Sequence, residues 1–275
     1  MAAADFGEVA ERLRRSTVHI HGGGSGSGVI WSAEGLIVTN AHVAREERSV
    51  VETWDGRELA AELTSRDRRR DLATLQVQAA GLPAATPGDS DALRPGDLAI
   101  AVGNPLGFTG ALSTGVVHAT GPLEGLGRRS WVQADVRLLP GNSGGPLADA
   151  RGRVIGINTM IAGGLALAVP SNTVAEFLRQ GGSDVSLGVV VQPIPAGLLV
   201  LRVAQGSVAE TASLLAGDLL VGVEGRRFRS ADDLADALDR NAGRALDLSF
   251  LRGDRRAMRQ VTVRLPERRM VAVAA

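Results

Sequence analysis

From residue 17 onward the chain consists of short runs of β-forming residues, and most of these runs are followed by glycine or proline. Short strands at this spacing, separated by glycine and proline turns, are typical of β barrels and β sandwiches. The sequence therefore predicts a mainly β protein. The first group of predicted strands covers residues 17–21, 28–31, 36–39, 49–53, 72–77, 98–102, 114–118, 153–159 and 165–169.

A second, smaller β group follows a helix that we predict at residues 171–179. Ser171 or Asn172 would cap this helix, and Gly181 and Gly182 would end it. We place a domain boundary there, with a first domain at 1–182, a second at 183–268 and a tail at 269–275. The remaining predicted elements are helices at 6–15 and 230–238, strands at 187–191, 198–203, 219–224, 245–251 and 261–265, and a connector at 81–96 between two β halves of the first domain.

Composition excludes several classes of function. The 30 basic and 30 acidic residues cancel, so there is no net charge to favour nucleic acid or an anionic membrane. The absence of cysteine excludes disulfides, thiolate zinc sites and cysteine nucleophiles. The absence of lysine excludes the phosphate-loop lysine of ATP-driven enzymes, so we expect activity without ATP and without a cofactor.

Targeting signals are weak in the sequence as given. No run of about 18 apolar residues is present, so we expect no membrane span. Residues 1–15 lack the apolar core of a secretory signal peptide, which predicts a soluble cytoplasmic protein.

Three residues far apart in the chain could form a nucleophilic site. His42 follows an apolar run, Asp71 begins another, and Ser143 lies in a glycine-rich turn. A serine hydroxyl needs a base in contact and a partner for that base, and the order His, Asp, Ser is that of chymotrypsin-like enzymes. We predict His42 as general base, Asp71 as its orienting carboxylate and Ser143 as nucleophile. Asp67 is an alternative orienting group, but it belongs to the arginine-rich run 66–70, which we expect to be a solvated loop.

The turn around Ser143 is suited to stabilising an oxyanion. Glycine on both sides of the Asn142–Ser143 pair lets the backbone aim its amides into a cleft. The predicted oxyanion hole comprises Gly141, Asn142 and Ser143, with the amides of Gly141 and Ser143 as candidate donors.

Two other patterns have simpler interpretations. His19 and His21 alternate along one predicted strand and could suggest a metal site, but no third ligand lies nearby in sequence, so we expect a solvated strand face and no metal. The glycine-rich run 22–28 is not followed by a helix pattern, which excludes a dinucleotide-binding loop and favours a glycine-rich strand near the cleft.

The combined motifs resemble those of the HtrA/Deg-type (DegP-like) trypsin-like serine proteases with one C-terminal PDZ domain. The resemblance implies a chymotrypsin-like double β-barrel followed by a small PDZ domain, which cleaves unfolded or damaged proteins without ATP. It also implies polypeptide partners with apolar segments or C-termini, a homotrimer and an extracytoplasmic location. The motifs that carry it are Thr-Asn-Ala-His-Val (39–43), Asp-Leu-Ala (71–73), Gly-Asn-Pro-Leu-Gly (103–107), Gly-Asn-Ser-Gly-Gly-Pro-Leu (141–147), Val-Ile-Gly-Ile-Asn-Thr (154–159) and Ala-Val-Pro-Ser-Asn (168–172).

The resemblance also assigns a specificity pocket. Arg137, six residues before the serine, lies near the pocket base where relatives usually have a small residue, and Leu138 follows it. The opposite wall would include Leu165, Ala166 and Ala168. We expect cleavage after small aliphatic residues, with an acidic preference as the alternative if Arg137 faces the pocket; Arg137 could instead pair with Asp135 or face solvent.

Asn142 replaces the aspartate that digestive relatives pair with a newly cut N-terminal amine. We therefore expect activity to depend on ordering of this loop by substrate or by the PDZ domain, and not on N-terminal cleavage.

In the second domain the resemblance assigns a groove for a peptide C-terminus. Its residues would be Leu187, Gly188, Val189, Val191, Leu234 and Leu238, some of which should be core. Two alternatives to general proteolysis stay open: a dedicated regulatory processing protease, and an inactive chaperone or PDZ scaffold.

Overall fold

The computed structural model describes residues 5–22, 24–124, 126–182, 185–253 and 257–267. These form two compact units. The first contains the described residues up to Leu123 and those from Arg129 to Gly182, and the second contains the segment near 124–128 and the described residues from 185 onward. The predicted tail at 269–275 lies outside the described residues.

Six antiparallel strands close the first barrel of the first unit. Its apolar side chains alternate along the strands, so that one face of each strand fills the barrel with residues such as Val18, Ile20 and Ile37. In order around the barrel the strands are β1 (Thr17–Gly22), β2 (Gly24–Ile30), β3 (Leu36–Thr39), β6 (Leu72–Val77), β5 (Glu58–Asp67) and β4 (Arg48–Glu52), which pairs with β1 again.

A second barrel of six strands follows in the same unit. Its core contains many small residues, such as Ala99, Ala134 and Ala168, together with Leu147 and Ile155. The short β7 (Thr86–Pro87) is added in parallel to one strand of this barrel. Around the barrel the strands are β8 (Leu98–Gly103), β9 (Ala111–Pro122), β10 (Ser130–Ala134), β13 (Leu165–Pro170), β12 (Arg153–Ala162) and β11 (Pro146–Ala148), which pairs with β8 again.

Two helices pack against the barrels. Helix α1 (Phe6–Arg15) is capped by Asp5, whose carboxylate accepts the Gly7 N–H. The helix buries Val9 and Leu13 against the second barrel. Helix α2 (Ser171–Gln180) buries Val174 and Phe177 and ends at Gly181, which has a positive φ of 74°. Two 3₁₀ turns, Ser90–Ala92 and Pro105–Gly107, complete this unit.

The described residues of the second unit form one sheet and two helices. Its core comprises Leu187, Leu198, Leu220, Phe250 and neighbouring apolar residues. The sheet order is β14, β15, β16, β18, β19, with β17 paired to β16. The elements are β14 (Val189–Ile194), β15 (Gly197–Val203), α3 (Val208–Thr211), β16 (Leu219–Val223), β17 (Arg226–Arg227), α4 (Ala231–Arg240), β18 (Ala245–Leu251) and β19 (Met258–Arg264).

The two closed six-stranded barrels and the separate sheet confirm the predicted fold class, a chymotrypsin-like double barrel followed by a PDZ-like sheet. None of the helices among the described residues is long and apolar enough to cross a membrane.

The structure corrects two local predictions. The run 66–70 is not a solvated loop throughout, because β5 extends to Asp67, which is buried and accepts hydrogen bonds from the backbone and guanidinium of Arg70. The first turn of α2 is not capped by its own serine or asparagine. Ser171 donates its hydroxyl to the Gly88 carbonyl, and the side-chain amide of Asn172 donates to the Asp89 carboxylate.

Candidate active site

His42 lies in the turn that follows β3. The Val43 and Ala44 amides both donate to the Asn40 carbonyl at 3.1 Å, which closes the turn and holds the histidine at the barrel rim. The Asn40 side chain donates to the Asp71 carbonyl at 2.9 Å. The turn is therefore fastened to the segment that carries the candidate orienting carboxylate.

Asp71 contacts both the backbone and the ring of His42. Its Oδ2 lies 2.8 Å from His42 Nδ1, and its Oδ1 accepts the His42 N–H at 3.1 Å. Asp71 has a φ of 55°, a left-handed conformation that aspartate tolerates better than most residues. This geometry leaves Nδ1 as a donor to the carboxylate and Nε2 as the ring nitrogen available to a nucleophile.

Ser143 follows a turn made by the residues from Leu139 to Asn142. Proline at the second position, Gly141 at the third with φ 105°, and the 3.0 Å bond from the Asn142 N–H to the Leu139 carbonyl match a type II turn. Among the described residues, the N–H groups of Gly141 and Ser143 donate to no other protein group. In the described part of the chain both amides thus lack a protein acceptor, as the predicted oxyanion hole requires.

Asn142, the third residue of the predicted oxyanion hole, has no free backbone donor. Its N–H closes the turn, and its side-chain Oδ1 accepts the Leu139 N–H at 3.1 Å. The buried amide side chain thus stabilises its own turn by neutral hydrogen bonds.

Ser27 of β2 joins the first barrel to this turn. Its N–H donates to the Ser143 carbonyl at 2.8 Å, and its hydroxyl donates to the Gly141 carbonyl at 2.7 Å. Nearby, a Cβ at Gly26 would lie 2.7 Å from Val43 Cγ2 and 3.0 Å from the Ser143 carbonyl oxygen. The glycine-rich run is therefore a strand on which the nucleophile turn packs closely.

Thr159 of β12 is a site residue to which the sequence analysis assigned no role. Its hydroxyl donates to Asp71 Oδ2, and its carbonyl accepts the Ser143 hydroxyl at 3.0 Å. One residue of the second barrel thus contacts both the carboxylate and the serine. The motif 154–159 marks this position in the sequence, but nothing local to it points to Asp71, 88 residues earlier.

The Ser143 hydroxyl donates to this carbonyl and not to His42 in the structure. The three-residue triad therefore stays a prediction.

The five predicted pocket residues differ in exposure. Arg137 is exposed, its N–H donates to the Ser113 hydroxyl at 2.9 Å, and among the described residues it forms no ion pair with Asp135. Leu165 is half-buried at the start of β13. The side chains of Leu138, Ala166 and Ala168 are buried in the second-barrel core, and their role in specificity stays a prediction.

The predicted peptide groove lies beside β14 and α4, which are in contact. Leu187, Leu234 and Leu238 are buried in the core of the second unit, and Val189 and Val191 pack against that core while partly exposed. Gly188 has φ 76° and donates its N–H to the Ser186 hydroxyl at 3.0 Å. Three of the six residues are thus core, and the other three, in β14 or directly before it, are partly exposed.

The double barrel, the His42–Asp71 pair and the amide-lined serine turn define a trypsin-like serine protease unit joined to a PDZ unit. Family profiles agree: a trypsin-like peptidase domain matches residues 26–157 and a PDZ domain matches residues 199–252. Two curated relatives show how far the similarity extends. The chain is 36% identical to the putative serine protease HhoA of Synechocystis over 85% of this chain and 68% of that protein. It is 36% identical to a probable periplasmic serine endoprotease DegP-like of Chlamydia trachomatis over 78% of this chain. The chain belongs to the HtrA/Deg-type family of serine proteases.

Relatives differ in length. The chain spans 48% of the Chlamydia trachomatis protein.

Among solved structures, HtrA-type protease AlgW with decapeptide superposes with a TM-score of 0.64 and 27% identity, covering 96% of this chain and 99% of that one. HtrA-type protease AlgW with tripeptide has the same TM-score at 30% identity.

Proposed function

We propose that this chain is an ATP-independent serine endopeptidase that cleaves unfolded or damaged proteins, with His42, Asp71 and Ser143 as its triad. The observation that carries the proposal is that Thr159 contacts both Asp71 and Ser143, while Asp71 holds the His42 ring. Family membership and the absence of lysine support it as well.

The proposed reaction follows from the geometry. His42 Nε2 removes the proton from the Ser143 hydroxyl as its oxygen attacks the scissile carbonyl, and Asp71 stabilises the imidazolium. The amides of Gly141 and Ser143 stabilise the oxyanion, each for roughly 3–4 kcal/mol. His42 then passes the proton to the leaving amine, and water hydrolyses the acyl-enzyme by the same steps.

The second unit would bind substrate or regulatory peptides by their C-termini. An incoming strand would pair with β14 beside α4, with Val189 and Val191 contacting its side chains. Titration of an apolar peptide with a free C-terminus, and of the same peptide amidated, tests this. Equal affinity for both would contradict carboxylate capture.

Casein digestion by the purified chain tests the protease proposal. We expect Ser143→Ala to abolish it and Ser130→Ala, an exposed serine on β10, to retain it, with no effect of added ATP. A serine-directed phosphonate should modify Ser143. Equal digestion by both variants would refute the proposal, and no digestion by the wild type would favour a chaperone or scaffold.

Substrate preference is proposed to be small and aliphatic. Arg137 is exposed and unpaired with Asp135 among the described residues, which supports a solvent-facing side chain. A peptide library cleaved by the wild type and by Arg137→Ala decides between this and the acidic alternative. An acidic preference that disappears in the variant would overturn the first choice. Proteome-wide cleavage profiling separates general quality control from a single-client processing protease.

Assembly and location are proposed from the family resemblance. We infer a homotrimer and an extracytoplasmic location, the second because the Chlamydia trachomatis relative is named periplasmic. Light scattering on the purified chain tests the first, and fractionation of cells expressing the native gene tests the second.

A further inference from the structure

Two histidines on one face of β1 belong to a cluster of potential metal ligands that includes none of the proposed catalytic residues. His19 and His21 share one face of the strand, opposite the core residues Val18 and Ile20. Their ring centroids are 3.8 Å apart. The expectation of a solvated strand face is wrong for His19, which is 9% exposed because the side chains of His21, Glu52 and Ser25 lie against it.

Barrel closure brings a third donor to these histidines. Because β1 pairs with β4, His19 is the cross-strand partner of Glu52. Glu52 Oε2 lies 3.2 Å from His21 Nε2 and 3.7 Å from His19 Nδ1. One ligand atom from each of the three residues lies within 4.8 Å of the other two. In sequence, Glu52 is 31 residues from His21, so the strand pattern alone does not reveal it.

The orientation of His19 is fixed by a residue outside this trio. Its Nε2 lies 3.1 Å from the hydroxyl of Ser25. Ser25 belongs to β2 and is the cross-strand partner of His21. In the tautomer whose Nε2–H donates to Ser25, the lone pair of Nδ1 is directed toward the Glu52 carboxylate. Two electron-rich atoms then face each other, an arrangement that a bound cation between them stabilises. A hydrogen bond from the second nitrogen is also the usual support of a metal-ligating histidine.

We propose that His19, His21 and Glu52 bind a divalent transition-metal ion of the Zn²⁺ type. Two imidazole nitrogens and one carboxylate oxygen are a known ligand set for zinc, with water in the fourth position. In a tetrahedral zinc site with bonds of roughly 2.1 Å, ligand atoms are about 3.4 Å apart. The 3.2 Å and 3.7 Å separations from Glu52 Oε2 bracket that value.

Strand pairing holds the proposed ligands in place. The ligands belong to β1 and β4 and their supporting serine belongs to β2, and barrel pairing fixes all three strands in register. A site built on paired strands needs little rearrangement to accept an ion.

The competing imidazole–carboxylate pair in this chain is His42 with Asp71. Zinc binding is therefore measured by isothermal titration calorimetry on the full chain and on four variants, and Co²⁺ absorption reports the coordination geometry. His21→Ala and Glu52→Gln remove proposed ligands. His42→Ala removes the competing ring, and His118→Ala removes an exposed histidine on β9.

We expect the wild type to bind one Zn²⁺ per chain. The affinity for Zn²⁺ should fall at least about tenfold in His21→Ala and in Glu52→Gln. Binding should be unchanged in His42→Ala and His118→Ala, and Co²⁺ should show the visible bands of a tetrahedral site. Circular dichroism checks that each variant is folded, and the half-exposed side chain of His21 makes its removal the milder change. The absence of saturable binding, or its loss in His42→Ala with retention in His21→Ala, would overturn the proposal.

Discussion

Thr159 donates its hydroxyl to the carboxylate of Asp71 from the opposite barrel of the same unit. The bond ties the second barrel directly to the group that holds the His42 ring. Asp71 therefore accepts from a ring nitrogen, a backbone amide and a hydroxyl, and its orientation depends on both barrels.

Replacing Thr159 by valine tests this relationship. Valine keeps the shape but removes the donor, and a hydrogen bond to a charged group contributes about 1.5–3 kcal/mol. We expect kcat/KM to fall roughly tenfold to a hundredfold, mainly through kcat, because Asp71 and hence His42 lose orientation. Thr159→Ser should restore most of the activity, as a positioning role requires. Equal losses in both variants would instead indicate a packing role.

Gly141→Ala should remove the predicted oxyanion hole. A Cβ there would lie 2.6 Å from the Asn104 carbonyl oxygen and 2.7 Å from Pro105 Cα, at a φ of 105°. The turn must shift, and loss of one oxyanion donor lowers kcat about 10²–10³-fold. Gly56→Ala is the matched control, because it has φ 80° and no atom within 4 Å of its Cβ. Peptide hydrolysis should be normal in that control, and normal hydrolysis in Gly141→Ala would contradict the assignment.

Ser27→Ala should affect both stability and activity. The Ser27 hydroxyl is buried, accepts the Asn104 N–H at 2.9 Å and donates to the Gly141 carbonyl at 2.7 Å. Its removal leaves buried polar groups unpaired, which costs roughly 1–3 kcal/mol of the free energy of unfolding. Tryptophan fluorescence follows unfolding of the first unit, since all three tryptophans lie there. An unchanged unfolding midpoint would show that water replaces the hydroxyl.

The second unit should become less stable in acid, because protonation of Asp218 removes a stabilising interaction. Burial acts to raise the pKa of Asp218, but hydrogen bonds from Arg252 and the Leu215 amide outweigh it and hold the pKa below its ordinary value. Its contribution is complete above the unfolded-state pKa near 4, and it is lost as pH falls through the lower folded-state pKa.

Asp218→Asn should therefore lower the free energy of unfolding by roughly 2 kcal/mol at pH 7 and by less in acid. Hydrogen exchange of Leu219–Val223, the adjoining strand β16, measures opening of this unit. Asp247→Asn, which loses a more exposed carboxylate of the same unit, is the control. If the free energies of unfolding of the wild type and Asp218→Asn differ by the same amount at pH 7 and at pH 3, the proposed pH dependence is refuted.

Local patterns predicted the strands that alternate clearly or are continuously apolar. Residues 36–39, 72–77 and 245–251 were predicted with the bounds that the structure has. The strand Glu58–Asp67 was missed because apolar and polar residues do not alternate along it: Ala60 is exposed, whereas Ser65 and Asp67 are buried. The strand Ser130–Ala134 was missed because Trp131 and Val132 are its only large apolar residues.

The candidate site also contains some residues that local sequence predicts and others that it does not. Local sequence marks His42, Asp71 and Ser143, because each lies in a short motif whose neighbours fix the backbone. Thr159 and Glu52 act through partners 88 and 31 residues away, respectively, and only barrel closure brings those partners together. Contacts made by sheet pairing between distant strands have no local signature.

Sheet closure has a further consequence for a protease whose proposed clients are misfolded chains. Such chains carry unpaired strands that attach to any open sheet edge and recruit the host into aggregates. Both barrels of the first unit close on themselves, with the two-residue β7 added beside one strand of the second barrel, whereas the sheet of the second unit ends in β14 and β19. Under the proposed function, the longer open edges that a client strand could join therefore belong to the unit whose proposed task is to capture peptides.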